Sequence, residues 1–196
     1  GNQAILGNQD STSVVNGLIG FYFSSNGIYF IVRGKHDDNS NKAYLAGVFS
    51  SAAADEWNMW SVTFTPGASD TDVGTFVIYK NGVAQSSTVL LNTFTAQALS
   101  NIQLDGNLQI GNWNGLDYDL DGHIDQWAFW NDDLSAAQLL ALYQTPGHDY
   151  TVDLGNYQSS GKLDVYYKFD NNTNDSAETS NGTLGNDASF DTEIPS

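Results

Sequence analysis

Apolar and polar residues alternate in short runs along much of the chain, and a period of two is typical of β-strands. Over 57–65, Trp60, Val62 and Phe64 fall on one side of a predicted strand, with polar residues between them. The pattern therefore indicates a chain built mainly from short strands. Further predicted strands cover 108–111, 124–130 and 163–169.

Asn-Gly pairs separate several of these runs. The pairs at 26–27 and 81–82 each lie between two apolar segments. Both central residues of a type I′ turn need a positive φ, which Asn and Gly adopt most easily. We therefore predict β-hairpins over 20–32 and 75–85.

One segment has the features of a helix. Ser135, with Gln138 three residues later, forms a plausible capping box, and Pro-Gly at 146–147 ends the segment. A single helix near residues 135–143 beside many short strands predicts an all-β fold. We expect an antiparallel β-sandwich of jelly-roll type.

The predicted strand at 124–130 carries aromatic residues on both faces, so one face is expected to pack against the core and the other against a second layer. The tryptophans that follow strand periodicity are assigned to such packing: Trp57, Trp60, Trp127 and Trp130.

Composition narrows the possible functions. Apolar residues make up 40% of the 196 positions and aromatic residues 13%, which is enough for a core. The 23 acids against 6 Lys and Arg give a net charge of -17, which repels nucleic acid, so DNA and RNA are not expected partners. The charge fits cation binding, a salty medium or simply an acidic soluble surface.

The absence of some residue types also excludes chemistry. The sequence contains no cysteine, which rules out thiolate metal sites and cysteine nucleophiles. No apolar run approaches the roughly 20 residues that span a membrane, so membrane insertion is not expected. No signal-peptide pattern opens the sequence, which leaves open a chain without one and a processed form.

Four short motifs follow one another along the chain. They are W-x-x-W-S-V-T-F at 57–64, Y-K-N-G at 79–82, L-Q-I-G at 108–111, and G-H-I-D at 122–125 followed by Leu134-Ser135. Any one of them is a weak signal, but their order and spacing together are fairly specific. Over about residues 20–145 the chain thus resembles laminin-G-like and pentraxin-like concanavalin-type jelly rolls.

The chain departs from that family at its C-terminal end. A segment that resembles the family's opening strand, Y-Y-K-F-D at 166–170, stands near the end here. We expect a sandwich over 1–146 and a C-terminal segment, 147–196, with a strand at 163–169 and a polar loop after it. Three alternatives are open for this segment. It completes the same sandwich, as in a circular permutation, or it completes a neighbouring subunit by strand addition. The third alternative is that it begins a truncated second domain.

The acidic run D-x-D-x-D-G contains Asp117, Asp119 and Asp121, and such a run opens many calcium loops. The EF-hand pattern fails, because the twelfth position is Ala128 and a strand is predicted there. Like charges at ~4 Å repel by roughly 4 kcal/mol at an effective dielectric near 20, and a cation removes that cost. Ca²⁺ is the expected ion, and the alternative is a loop whose acids point into solvent.

The resemblance adds further candidate metal ligands. It makes Asp125 a structural residue or one near the metal. It also places the polar loop after 163–169 against the G-x-I-D strand, so Asp170 and Asp175 would hold a second calcium ion or supply the missing ligands of the first. The alternatives are a backbone hydrogen bond for Asp125 at a strand edge and a solvated loop for the other two.

A candidate sugar site lies in the Gly-Asn-Trp-Asn-Gly stretch, a loop context in which the ring of Trp113 is expected to be exposed. Trp113, Asn114 and Tyr118 combine aromatic rings with amide and acidic neighbours, a set that suits stacking and hydrogen bonding to a glycan. The alternative is that Trp113 packs as a lid on the edge of the sandwich.

We do not expect an enzyme. The E-x-D-x-x-E strand of concanavalin-type glucanases is absent, and only three of the acids are Glu. The histidines at 36, 123 and 148 lack the spacing of a zinc site, and no G-x-S-x-G occurs.

Two functions remain open at this point. The first is a calcium-stabilised module that binds a glycan or a surface receptor, as in cell adhesion, and is extracellular or displayed on a cell or virion. The second is a structural subunit of a fibre or virion shell that assembles as a homo-oligomer through residues 163–190.

Overall fold

The computed structural model describes residues 2–7, 18–25, 27–35, 41–48, 56–65, 68, 74–93, 107–113, 119–178, 180–185 and 188–190, without the side chains of 18, 33–35 and 41–43. The chain divides into two compact units. The first contains 1–55, 64–78 and 85–122, and the second contains 56–63, 79–84 and 123–196.

The described strands are short and antiparallel wherever their register is given. They are β1 (Gln3–Gly7), β2 (Leu18–Ser24), β3 (Gly27–Lys35), β4 (Asn41–Val48), β5 (Trp60–Thr65), β6 (Thr75–Lys80), β7 (Val83–Ala84), β8 (Thr88–Asn92), β9 (Gln109–Ile110), β10 (Trp127–Trp130) and β11 (Leu163–Tyr167). The helix α1 covers Ala136–Tyr143.

The first unit contains a six-stranded sheet of order β8-β4-β3-β2-β1-β9. Strands β2 and β3 form the predicted hairpin, with Ser24 opposite Gly27 at its closed end. Strands β6 and β7 form the second predicted hairpin, and they share a three-stranded sheet with β5. Both hairpin predictions are therefore confirmed.

Phe76 of β6 packs on the six-stranded sheet within the first unit. Its ring lies 4.7 Å from the ring of Phe30 on β3 and 5.0 Å from that of Tyr44 on β4, centroid to centroid. Phe64 of β5 stacks on it at 4.6 Å. Two antiparallel sheets thus meet around an aromatic core, and the predicted jelly-roll β-sandwich with one short helix is confirmed.

Helix α1 begins as its sequence predicts. The Ser135 hydroxyl accepts a hydrogen bond from the Gln138 backbone N–H, and the Gln138 side chain accepts one from the Ser135 N–H at 2.9 Å. The capping box satisfies N–H groups that the helix cannot satisfy itself. Leu139 and Leu142 are the buried residues of α1.

The core of the second unit is rich in tyrosine. Tyr157 and Tyr166 are completely buried, and the ring of Tyr150 stacks on that of Tyr166 at 4.6 Å. The Tyr157 hydroxyl donates to the Tyr150 carbonyl at 2.7 Å and accepts from the indole N–H of Trp130 at 2.9 Å. These hydrogen bonds satisfy polar groups that burial would otherwise leave without water.

Strand β11 of the C-terminal segment pairs with β10 of its own chain. Trp127 lies opposite Tyr167, and Phe129 lies opposite Val165. This pairing lies within one chain, and completion of this sandwich or of a neighbouring subunit by the segment stays a prediction. The division of the chain at residue 146 stays a prediction.

Four predicted strands are shorter in the structure, and three strands were not predicted. The shortened strands are those predicted at 57–65, 108–111, 124–130 and 163–169. Gln126 has a φ of 54° and Phe169 a φ of 56°, which lie outside the extended conformation of regular strand residues. Strand β10 therefore begins after Gln126, and β11 ends before Phe169. The strands that were not predicted are β1, β4 and β8.

Candidate functional site

Trp113 is buried in the first unit, with 3% of its surface exposed. Its indole lies over Gly7 and Gly20, which are partners across β1 and β2. A Cβ on either glycine would come within 2.7 Å of the indole, so the missing side chains form the slot that the ring fills. This differs from the exposed ring expected from the sequence and favours the packing alternative.

The other predicted sugar-site residues, Asn114 and Tyr118, lie outside the described residues, as does Asp117. Asp119 and Asp121 belong to the first unit, and both are exposed. The Asp119 carboxylate accepts a hydrogen bond from the side-chain amide of Asn112. Within the described ranges, no group of three or more His, Cys, Asp or Glu is placed to hold a metal ion.

Asp125 and Asp170 lie in the second unit and interact electrostatically. Burial raises the pKa of Asp125, and the negative charge of Asp170 raises it further, against a smaller lowering by the Gln126 backbone N–H. A carboxyl whose ionised form is disfavoured by a neighbouring acid fits a bound cation, because a positive charge nearby would favour that form of Asp125.

The backbone beside these two acids is in an unusual conformation. Gln126 follows Asp125, while Phe169 and Asn171 flank Asp170, and their φ angles are 54°, 56° and 61°. Non-glycine residues seldom adopt positive φ, and such residues concentrate at functional sites. The chain thus turns sharply at both acids.

Asp175 is a hydrogen-bond acceptor for backbone N–H groups around it, and its role as a metal ligand stays a prediction. Its Oδ1 accepts hydrogen bonds from the backbone N–H groups of Tyr166 and Ala177, each at 2.9 Å, and its Oδ2 accepts one from Ser180 at 3.1 Å. Burial raises the pKa of Asp175, but these bonds outweigh it and the net shift is downward. Both carboxylate oxygens of Asp175 therefore accept hydrogen bonds that hold the C-terminal loop against β11.

The strand pair β10–β11 presents a partly exposed row of rings. The ring centroids of Trp127 and Tyr167 are 5.9 Å apart, and those of Tyr167 and Phe169 are 5.8 Å apart, with planes inclined by 28° and 21°. All three rings are half-buried, and Phe129 beside them is 52% exposed. We call these four residues the outer aromatic face.

Sequence reasoning missed this face, because it assigned Trp127 to packing. The Tyr-Tyr pair at 166–167 was the sequence signal for an aromatic ring on the outer side, since adjacent strand residues point to opposite sides of a sheet. Tyr166 is fully buried, so its neighbour Tyr167 points outward.

Polar groups border the outer aromatic face. The Tyr167 hydroxyl donates to the Ser180 carbonyl. Thr173 and Gly182 hold the same loop in place through two hydrogen bonds. The Thr173 hydroxyl donates to the Gly182 carbonyl at 2.8 Å, and the Gly182 N–H donates to the Thr173 carbonyl at 2.9 Å. Rings with a rim of amides and hydroxyls have the chemistry of a sugar-binding surface.

The described helix α1 is far shorter than a membrane span, and none of the described helices is long and apolar enough to cross a bilayer.

Comparison with known proteins identifies the family. A laminin-G-type family model, described as Concanavalin A-like lectin/glucanases superfamily, matches residues 2–140. None of the curated proteins and solved structures compared with the chain matches it. The resemblance inferred from the four motifs is thereby confirmed, and the chain belongs to the concanavalin A-like lectin/glucanases superfamily.

Proposed function

We propose that this chain is a non-catalytic module that binds carbohydrate through the outer aromatic face. The observation that carries the proposal is the continuous row of partly exposed rings formed by Trp127, Tyr167 and Phe169. Large rings left half in solvent favour a ligand with an apolar surface, and a sugar ring offers one together with hydroxyls for a polar rim.

A binding role without catalysis is supported by the acids. A retaining glycosidase needs two carboxyl groups about 5–5.5 Å apart, most often from a paired motif on one strand. Glu56 and Glu178 are both exposed, and the E-x-D-x-x-E motif does not occur in the sequence.

Calcium is proposed as a stabilising ion at Asp125 and Asp170. The support is the mutual repulsion of these two carboxyls, at points where the backbone turns through left-handed conformations. A bound calcium would supply the positive charge that the pair lacks, and oxygen ligands suit it. Asp175 is left out of this site, because backbone N–H groups occupy its oxygens.

An extracellular or surface-displayed location fits this proposal, since such modules meet glycans there. The alternative function, a fibre or virion-shell subunit joined through residues 163–190, stays a prediction. In the structure β11 is already paired with β10, so this alternative requires that strand to exchange between chains.

Replacing Trp127 with alanine is expected to weaken glycan binding about tenfold or more, which corresponds to about 1.4 kcal/mol, because the largest ring of the face is lost. A glycan array with wild-type protein identifies the ligand, and calorimetry then compares the variants. Tyr143→Ala is the matched control, since Tyr143 is an exposed ring on α1. Equal affinities for Trp127→Ala and Tyr143→Ala would contradict the proposed site.

Calcium is expected to raise the melting temperature of the wild type and to have little effect on Asp125→Asn. An ion at about 100 times its Kd stabilises by about 2.7 kcal/mol when it binds the folded state alone. Without calcium, Asp125→Asn should not destabilise the protein at neutral pH, because the raised pKa of Asp125 means that its ionised form opposes folding.

Scanning calorimetry with calcium and then with a chelator tests this expectation. Asp164→Asn is the control, because it removes an exposed acid from β11 at a distance in sequence from both turns. Identical melting curves with and without calcium would remove the ion from the proposal. If calcium still raises the melting temperature of Asp125→Asn, the ion binds at another site.

A further inference from the structure

The unit that carries the outer aromatic face is strongly acidic. Its segments, 56–63, 79–84 and 123–196, contain 13 acidic residues, three lysines and no arginine. A surface charged so unequally attracts ligands of the opposite sign and repels those of its own sign. The charge of a glycan therefore matters for its binding here as much as its shape does.

Two of the three lysines already have partners outside the outer aromatic face. The Lys168 ammonium donates to the Asp149 carboxylate at 2.7 Å and lies 5.6 Å from the ring centroid of Tyr166, which is fully buried. The Lys80 ammonium lies over the Trp60 ring, 5.7 Å from its centroid. Neither ammonium group is directed at the exposed side of the strand pair β10–β11.

The third lysine, Lys162, stands at the far end of this strand pair. It directly precedes Leu163, which lies opposite Trp130, whereas Tyr167 lies opposite Trp127 at the other end. Four residues of strand, or about 13 Å, separate Leu163 from Tyr167. The stacked rings of Trp127, Tyr167 and Phe169 thus lie at the end of the pair away from Lys162.

Negative charge, in contrast, adjoins these rings. Burial raises the pKa of the Tyr167 hydroxyl, and the negative charge of Asp175 raises it further. Glu178 is exposed in the loop whose Ser180 carbonyl accepts the hydrogen bond from Tyr167. An anionic substituent placed beside Tyr167 would therefore meet negative charge from this loop.

A calcium ion at Asp125 and Asp170 would not reverse the charge balance. Asp170 directly follows Phe169 and is exposed, so this proposed site is the one beside the ring row that could become more positive. One Ca²⁺ only balances the negative charges of two carboxylates. An occupied site would therefore be neutral and would offer no surplus of positive charge to an acidic sugar.

Charged and uncharged sugars need different partners on a protein. A sulfate or carboxylate group that loses water on binding is usually met by Arg or Lys, whose charged N–H groups replace the lost hydrogen bonds. A sugar hydroxyl needs only neutral donors and acceptors, such as the hydroxyl, amide and carbonyl groups that border the outer aromatic face. The described face is thus equipped for hydroxyl groups.

We propose that the outer aromatic face selects uncharged glycans and rejects those that carry sulfate, sialic acid or uronic acid groups. This inference rests on the proposed carbohydrate binding and specifies its ligand class. Rejection comes from repulsion by the acidic loop and from the cost of removing water from an anion that meets no cation. Because stacking and neutral hydrogen bonds hold an uncharged glycan, added salt should change its affinity little.

A glycan array that carries neutral glycans beside their sulfated and sialylated forms tests this selection. We expect the neutral member of each bound pair to bind at least about tenfold more tightly. Biolayer interferometry with immobilised hydroxyethyl cellulose and carboxymethyl cellulose extends the test to two polymers with one backbone. Both comparisons are made at low and high salt, with calcium and with a chelator.

A charge reversal in the loop locates the selection. Glu178→Lys should reduce the preference for the neutral form severalfold, because it replaces a negative charge near Tyr167 with a positive one. Glu56→Lys is the matched control, since it makes the same change of charge at an exposed acid of the same unit that is remote from the loop in sequence. Melting curves check that both variants are folded.

Failure of this selection and failure of carbohydrate binding give different results. If no glycan or polymer binds, or if Trp127→Ala binds as well as the wild type, the proposed function is wrong and the selection falls with it. If an acidic form binds as tightly as its neutral partner and loses that binding in Trp127→Ala, carbohydrate binding holds and the selection is wrong. Equal effects of Glu178→Lys and Glu56→Lys would overturn the assignment of the selection to this face.

Discussion

Replacing Gly82 with alanine is expected to lower the free energy of unfolding by about 3 kcal/mol or more. Gly82 has a φ of 75°, a conformation that costs an L-residue about 1–2 kcal/mol. A Cβ at this position would also come 2.4 Å from the Cα of Leu140 and 2.7 Å from its backbone nitrogen. Helix backbone cannot rotate away as a side chain can, so α1 or the turn must shift, at a cost typical of overpacking.

The turn itself has little freedom to relax. Asn81, the other central residue, accepts a hydrogen bond from the Met59 N–H at 2.9 Å and donates its own N–H to the Met59 carbonyl at 2.8 Å. Its side-chain amide also donates to Asn58 at 3.1 Å. A displaced Gly82 would therefore strain these bonds as well as the contact with α1.

Urea denaturation followed by circular dichroism and tryptophan fluorescence measures this loss. Gly147→Ala is a closely matched control, because Gly147 has the same φ of 75° and nothing within 4 Å of its would-be Cβ. Gly147→Ala should lower the free energy of unfolding only by the conformational cost of the positive φ, about 1 kcal/mol. Equal losses in the two variants would show that the contact with α1 contributes nothing.

This pair of glycines separates what sequence can predict from what it cannot. The Asn-Gly dipeptide at 81–82 predicted the hairpin, since turn conformation is decided locally by two residues. The capping box of Ser135 and Gln138 was predictable for the same reason. The close approach of Gly82 to Leu140 depends on packing between distant segments, and no local pattern encodes it.

The candidate sites show the same division. The local surroundings of Trp113 in a Gly-Asn-rich stretch suggested an exposed ring, but its slot is formed by Gly7 and Gly20, which are remote in sequence. The resemblance drew attention to Asp125 and Asp170, which do interact.

The outer aromatic face was missed for a different reason. Strand alternation separates two faces, but it does not say which one is buried when both carry aromatic rings. Tyr166 and Tyr167 are chemically identical, and the packing of Tyr150 on Tyr166 decides between them.

Replacing Asp175 with alanine is expected to lower the free energy of unfolding by about 3 kcal/mol. The side chain is 8% exposed, and its removal would leave the N–H groups of Tyr166, Ala177 and Ser180 without their acceptor. Hydrogen bonds to a charged group contribute about 1.5–3 kcal/mol each, and their losses at one site are not additive. Asp164→Ala, an exposed acid on β11, should change stability by no more than about 0.5 kcal/mol.

The pH dependence of stability distinguishes the charge of Asp175 from its shape. Its pKa is lowered in the folded state, so its contribution is fully present above the ordinary carboxyl pKa near 4 and is lost as pH falls through the lowered value. Asp175→Asn keeps one acceptor oxygen but turns an N–H₂ group toward backbone donors, so it should lose about 2 kcal/mol at pH 7 and less at acidic pH.

Urea titrations of wild type, Asp175→Asn and Asp164→Ala at pH 7 and at about pH 3 therefore give a directional test. If the ionised carboxylate holds the loop, the difference in the free energy of unfolding between wild type and Asp175→Asn must become smaller at the lower pH. A difference that stays constant would mean that side-chain shape alone matters. A difference in unfolding free energy near zero at both pH values would mean that the loop of 175–182 folds without the Asp175 carboxylate. The Thr173–Gly182 hydrogen bonds would then have to hold the rim of the outer aromatic face instead.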